Sequence, residues 1–291
     1  MTRIGEGETS EVFRIEPGIV VKLFRADYCD QDDVHREFAV ARHVGANTAV
    51  APAAFELTEI DGRVGYTMEE ITGPLFQDVI DSHPDRLLDN ARLLGRAHRA
   101  IHELPYDPAL SSVPSMKEAF PDFVGSWGCF PAEVREWLVS LISGLPDDRH
   151  LLHGDFMPYN MIMHDGEAFA VDWAGTLWGP ALADVARTVN FIVDPTEYPD
   201  SPYTLRAEEF VTEYLRAYSG LASDTGDGTP APVAAIDWDL LHRCLIFNAA
   251  AEVQWAERSG QVDSYTDRSR RFVLANHAEY GSDRLTGGGY E

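Results

Sequence analysis

The residues best able to do chemistry lie in one short stretch, His153-Gly-Asp-Phe-Met-Pro-Tyr-Asn160, and in Asp172-Trp173 just beyond it. Asn160–His164 and Ala168–Asp172 read as two strands around Asp165-Gly166, a dipeptide suited to a tight hairpin turn. Folding that hairpin about its tip sets Asn160 nearly opposite Val171, one residue from Asp172. Antiparallel register alone therefore brings an amide oxygen and a carboxylate together at the hairpin's open end. Two hard oxygen ligands, completed by phosphate oxygens, suit Mg²⁺. Asp155 lies upstream, in the turn that ends the apolar run Leu151–Asp155, where it can take a proton from an attacking hydroxyl.

His-Gly-Asp-x₄-Asn followed by an Asp on the next strand resembles the catalytic loop and metal-binding Asp of the kinase-like superfamily. His-Gly-Asp where protein kinases have His-Arg-Asp is similar to the aminoglycoside phosphotransferase branch, which also includes choline, homoserine, methylthioribose and sugar kinases. Asp172-Trp173-Ala174-Gly175 stands where protein kinases have Asp-Phe-Gly, and Gly179-Pro-Ala-Leu-Ala-Asp184 resembles that branch's helix start, whose Asp braces the catalytic loop. The N-terminus carries a second set. Ile4-Gly5-Glu-Gly7-Glu-Thr-Ser10 resembles the kinase Gly-rich loop, with Ser10 at the third glycine, and glycines let backbone N–H groups approach phosphate oxygens. Val20-Val21-Lys22-Leu23 is similar to the Val-Ala-Ile-Lys strand, and Met68-Glu69-Glu70-Ile71 to the hinge.

The resemblance implies ATP and Mg²⁺ as cofactors and a hydroxyl of a small molecule, aminoglycoside-like, an amino sugar or another metabolite, as acceptor. It implies Asp155 as the catalytic residue and Asn160 and Asp172 as metal ligands. Gly5, Gly7, Ser10, Lys22, Glu37, Glu69 and Ile71 are the implied nucleotide-binding residues, with Glu37 as the ion-pair partner of Lys22 and Asp33 as the fallback. Two alternatives use the same fold: a protein kinase, or a nucleotide-binding pseudokinase scaffold. The identity of the acceptor, ATP against GTP, and the oligomeric state stay open at this point.

The elements that must hold these residues follow from periodicity and punctuation. Arg3–Gly7, Glu11–Glu16, Gly18–Phe24, Ala53–Glu59 and Arg63–Glu70 read as strands, the last two joined at Asp61-Gly62. Asp30–Gly45 reads as a helix with an acidic first turn. After Ile-Thr-Gly-Pro at 71–74 the pattern turns helical: Asp85–Glu103, Pro131–Ser143, Arg206–Ser219, Pro232–Arg258 and Tyr265–Tyr280 are amphipathic candidates. Ser223–Pro232 is a polar loop. The fold class is therefore α+β and, by the resemblance, bilobal and protein-kinase-like. Residues 1–72 form a small antiparallel-sheet lobe with one helix, residues 73–285 a larger, mostly helical lobe, and 286–291 a disordered, glycine-rich tail.

Composition excludes some partners. With 23 Lys+Arg against 48 Asp+Glu the formal charge is −25, which disfavours nucleic acid and anionic membrane surfaces. Lysine is nearly absent, only Lys22 and Lys117. No apolar run reaches the length of a membrane helix. The opening MTRIGEGETSEV has neither an apolar signal core nor a cleavage site, so a cytoplasmic protein is expected. Cys29, Cys129 and Cys244 are far apart and read as structural thiols. His98 and His102, four apart on a helix, lack a third metal ligand nearby and read as ordinary core or surface residues. Trp127, Trp137, Trp238 and Trp255 read as core, and the acids Glu252, Glu257, Asp263 and Asp267 as solvated surface.

Overall fold

β-branched strands, tight Gly-containing turns and one capped helix build the first third of the chain. In the computed structural model, which describes residues 1–25, 30–196, 198–220 and 236–281, β1 (Thr2–Glu6), β2 (Ser10–Glu16) and β3 (Ile19–Phe24) precede α1 (Gln31–Asn47), β4 (Ala54–Ile60) and β5 (Arg63–Glu69). The five strands form one antiparallel sheet in the order β1-β2-β3-β5-β4. Asp61 and Gly62 both take positive φ at the β4–β5 turn, as a two-residue hairpin of matching twist requires. Asp30 starts α1 by accepting from the Asp33 N–H at 2.8 Å. Cys29 lies outside the described residues.

The rest is mainly helical: α2 (Phe76–Ser82), α3 (Leu87–His102), α4 (Met116–Gly125) and α5 (Ala132–Ser143) come first. The short strand β6 (His150–Leu152) and the hairpin β7 (Met161–His164) and β8 (Glu167–Ala170) follow. β9 (Leu177–Gly179) pairs back onto β6. Among the described residues, five helices complete the lobe: α6 (Ala181–Val193), α7 (Pro202–Leu205), α8 (Ala207–Tyr218), α9 (Trp238–Ser259) and α10 (Ser264–Tyr280). The helix expected over Pro232–Arg258 starts at Trp238, where the Asp237 side chain accepts from the Leu240 N–H. The expected loop Ser223–Pro232 and the tail 286–291 lie outside the described residues. No helix among the described residues is long and apolar enough to cross a membrane.

Periodicity in the sequence points to no helix over α2 or α4. The first is only seven residues long, too short for a periodic signal. The second carries Pro121 in its interior, a residue that removes a helical N–H and normally argues against a helix. One continuous apolar core runs through both halves, from Val34, Val40 and Tyr66 to Leu138, Phe210 and Val253.

Candidate active site

The His153–Asn160 stretch is held by its neighbours on three sides. Gly154 takes φ +79°, and a Cβ there would stand 2.1 Å from the Gly175 carbonyl oxygen. The tight crossing of these two segments therefore requires glycine between His153 and Asp155. Behind the loop, Asp184 near the start of α6 accepts from the His153 N–H at 2.6 Å and the Gly154 N–H at 3.0 Å. One turn later on the same helix, Arg187 donates to Asp155 Oδ1 at 3.0 Å. Asp155 Oδ2 accepts from the Asn160 amide at 2.7 Å and the Tyr159 hydroxyl at 3.0 Å. A carboxylate offers about four acceptor positions. Three donors thus orient Asp155 and leave one position for another hydroxyl.

The hairpin register agrees with the one expected from sequence: the Val171 N–H donates to the Asn160 carbonyl at 2.9 Å, so these two residues face each other. Asp172 follows in the left-handed region, φ 69°, a strained placement for a non-glycine residue and one that clusters at functional sites. Its Oδ1 accepts from Lys22 at 2.9 Å. Lys22 also meets Glu37 Oε1 at 2.5 Å, which accepts from the Tyr66 hydroxyl at 2.9 Å. Burial opposes the charge on Lys22, yet the two carboxylates raise its pKa above the usual value. Burial likewise pushes Asp172 up, and Lys22 together with His153 and the Ala174 N–H more than reverses it, leaving the carboxyl below its ordinary range. Asp33 pairs with Arg36 instead, so the fallback partner is not used.

These residues face a cleft of about 610 Å³ lined by Gly5, Gly7, Ser10, Lys22, Asn160 and Asp172, with Glu69 and Ile71 also in its wall. Neither Gly5 nor Gly7 has positive φ, and a Cβ at either position would find only ordinary contacts. Packing does not demand glycine there; the missing side chains leave the backbone open toward the cleft. At the hinge, the Glu69 and Glu70 N–H groups are taken by Ala53 and Gly18 carbonyls. Among the described residues the Ile71 N–H has no partner.

Asp155 opens on a second and larger cavity of about 920 Å³ whose wall includes Phe123, Arg187, Asp194, Glu252 and Trp255. Tyr159 lines both cavities, so they adjoin at the catalytic loop. This wall departs from two expectations. Trp255 is 56 % exposed at the rim and is not core, and Trp238 is 54 % exposed; Trp127 and Trp137 are buried as expected. Glu252 belongs to the cavity and not to open surface, because α9 turns that face toward α6. Glu257 pairs with Arg270, and Asp263 caps α10. The pair His98 and His102 does have a third companion: both rings reach Asp184. Arg187, Tyr159 and Asp194 carry no role that the sequence alone suggests, and Glu252 reads there as surface; the spacing of Asp184 and Arg187, one helical turn apart, is the signal that points to the first of them.

The family model described as the phosphotransferase enzyme family matches residues 1–236. The chain belongs to that family. It is accordingly a phosphotransferase, with the small antiparallel lobe and helical lobe of the kinase-like small-molecule kinases. Among solved structures, a thermostable mutant of aminoglycoside phosphotransferase APH(4)-Ia is 17% identical and superposes with a TM-score of 0.60, over 99% of this chain and 95% of that one. Amicoumacin kinase hAmiN, in complex with AMP-PNP, Ca²⁺ and Ami, is 13% identical with a TM-score of 0.65, over 97% and 88%. A choline/ethanolamine kinase family protein from Mesorhizobium loti is 16% identical with a TM-score of 0.60, over 95% and 88%. No curated protein sequence matches the chain.

Proposed function

We propose that this phosphotransferase moves the γ-phosphate of ATP, with Mg²⁺, to a hydroxyl of a small amine-bearing molecule such as an amino sugar or aminoglycoside-like compound. The observation that carries the reading is the junction at Asp155: one face of its loop closes the cleft holding Lys22, Asn160 and Asp172, and its carboxylate opens on the larger cavity. The donor set fits the metal. The Asn160 amide nitrogen is spent on Asp155, and only one Asp172 oxygen is spent on Lys22. Each residue therefore keeps a hard oxygen, the kind of ligand Mg²⁺ takes beside phosphates. Bound there, the metal supplies positive charge next to the transferring phosphoryl group.

The chain's own groups do the rest. Lys22, fixed by Glu37, neutralises phosphate charge, and the Gly5–Gly7 backbone lies against the same cleft. Asp155, aimed by Arg187, Tyr159 and Asn160, orients the acceptor hydroxyl and receives its proton, a role worth about 10²–10⁴-fold. The transition state of such transfers is loose, so positioning and electrostatics supply most of the rate.

The amine preference rests on two carboxyls in the acceptor cavity. Burial pushes both Asp194 and Glu252 above the usual carboxylate range, and neighbouring acids add to it. A cation entering the cavity relieves both. The half-exposed Trp255 and Phe123 at the rim supply apolar faces for the body of the ligand.

Radiolabelled ATP offered with a panel of amino sugars, amino alcohols, aminoglycosides and neutral sugars tests the reading, with a cell lysate as the protein arm. The expected result is label on an amine-bearing small molecule. Label on proteins, with none on any small molecule, overturns it.

A further inference from the structure

Behind the catalytic loop lies a set of polar side chains removed from the nucleotide cleft and the acceptor cavity. Asp184 on α6, His98 and His102 on α3 and Tyr214 on α8 are all buried. Asp184 Oδ2 meets His98 Nε2 at 3.1 Å and His102 Nε2 at 3.3 Å, in addition to the Asp184 bonds with the His153 and Gly154 N–H groups. On their far sides, His98 Nδ1 meets the Tyr214 hydroxyl at 2.7 Å and His102 Nδ1 the Tyr218 hydroxyl at 2.8 Å. The ring partners thus come from α6 on one side and, on the other, from α8, which packs along α3.

Two chemistries compete for this cluster. One ring nitrogen from each histidine and an Asp184 oxygen all lie within 4.8 Å of one another, close enough to hold a metal ion, and Nε2 is the nitrogen that faces Asp184 in both rings. Counting protons shows that the cluster is complete without one. With both rings neutral and protonated on Nε2, each donates to Asp184 and accepts a tyrosine O–H on Nδ1, so every proton has a partner. With a metal on Nε2, each Nδ1 carries the proton and must donate to its tyrosine. The Tyr218 hydroxyl proton then has no acceptor among the described residues and, the residue being only partly buried, must turn to water. The carboxylate is also complete without an ion. Burial raises Asp184, but the bonds from His102 and His98 carry it well below the ordinary range. Burial lowers His98 to about 4, so its neutral form is the one present at neutral pH.

We propose that His98 and His102, each held in the Nε2–H tautomer between Asp184 and a tyrosine hydroxyl, are positioning residues that set the His153-Gly154-Asp155 backbone through Asp184. Without both donors, Asp184 is an underbonded buried anion, free to turn away from the two backbone N–H groups that fix the loop. Asp184, which can only accept, puts each ring proton on Nε2, and the tyrosine O–H groups satisfy the opposite nitrogens; α8, which lines neither the nucleotide cleft nor the acceptor cavity, thereby helps set the aim of Asp155. The proposal rests on Asp155 being the residue that receives the acceptor hydroxyl.

The test uses the full chain, the kcat of ATP turnover, calorimetry with Mg·AMP-PNP, melting temperature and elemental analysis for bound metal. Asp155→Asn runs beside it: an unchanged kcat there overturns the assignment of the base and is read separately. His102→Leu is expected to lower kcat on the order of 10²-fold, the scale of a misaimed catalytic group, with AMP-PNP affinity nearly unchanged. His102→Gln, whose amide can still donate to Asp184, is expected to recover most of the rate. If His102→Leu does not fold, Tyr218→Phe decides: it keeps the packing and is expected to lower kcat by roughly threefold to tenfold, the scale of one modest hydrogen bond. A folded His102→Leu or Tyr218→Phe protein with wild-type kcat overturns the proposal. So does one equivalent of metal in the wild type that is lost from the His102 variants.

Discussion

Two cation–carboxylate pairs flank the catalytic loop, and they differ in how far water reaches them. Lys22 and Glu37, on the nucleotide side, are 5% and 3% exposed, and the Tyr66 hydroxyl completes the pair. Arg187 and Asp155, on the acceptor side, are 37% and 31% exposed. The first pair is a fixed part of the core, with its desolvation already met by two carboxylates and a phenol. The second is open, and its strength changes when a ligand displaces water. On the proposed reading, a rigid Lys22 side suits a nucleotide that never varies. The half-open Arg187 side leaves the Asp155 carboxylate adjustable by what enters the cavity.

The largest expected effect comes from the shared corner of the nucleotide side. Asp172→Ala removes the carboxylate proposed to hold the metal, leaving the Asn160 amide oxygen, and Mg·AMP-PNP binding is expected to fall below calorimetric detection. Lys22 keeps Glu37, so the melting temperature should change little. Undiminished affinity would move the metal site elsewhere and dissolve the contrast between the two pairs.

A smaller effect, confined to the other side, is expected from Arg187→Ala. It frees Asp155 Oδ1 from one of the three donors that orient the carboxylate. The expected outcome is a loss of roughly tenfold in kcat, within the range of a misplaced catalytic group, and no change in AMP-PNP affinity. A matching loss of nucleotide affinity would show that the two sides are coupled and that the comparison is wrong.

The same division separates what is legible in the sequence from what is not. On the nucleotide side the residues come in runs whose spacing is kept in the chain: Gly5-Glu-Gly7, Val20-Val21-Lys22, and Asn160 placed against Val171 by a hairpin of known turn. Local pairing rules suffice there. The acceptor wall is assembled from α4, α6, α9 and α10, and no short-range rule says which faces of four helices will meet. Glu252 and Trp255 illustrate the failure in opposite directions: one reads as surface and lines a cavity, the other reads as core and stands at its rim. The histidine pair shows the same limit. His98 and His102 share a helix face visibly, but Asp184 lies 86 and 82 residues away. Pro121 hides α4 because its local cost is outweighed by the packing of Val124 and Trp127 into the core.

The smallest effect expected is also the one that sharpens the comparison most, because it has opposite signs on stability and binding. Burial holds the Glu252 carboxyl above its usual range, so the folded chain binds that proton more tightly than the unfolded chain does. The stability tied to this group is therefore fully present below the ordinary glutamate pKa and is lost as pH rises through the higher folded value. Arg187 offsets part of that penalty but not all of it. Glu252→Gln cannot ionise and escapes the loss. Its melting temperature is expected to match the wild type in mildly acidic buffer and to exceed it by roughly 2 °C near pH 8, a small gain for a chain of this size. Binding of an amine-bearing acceptor should weaken severalfold at the same pH, while Mg·AMP-PNP binding stays as it was. Melting curves and calorimetry at the two pH values check all three readings. A variant less stable than the wild type at pH 8 would mean that Glu252 serves the fold through Arg187. The acceptor wall would then be no freer of structural duty than the Lys22 side, and the contrast in water access would carry no consequence for how each side meets its ligand.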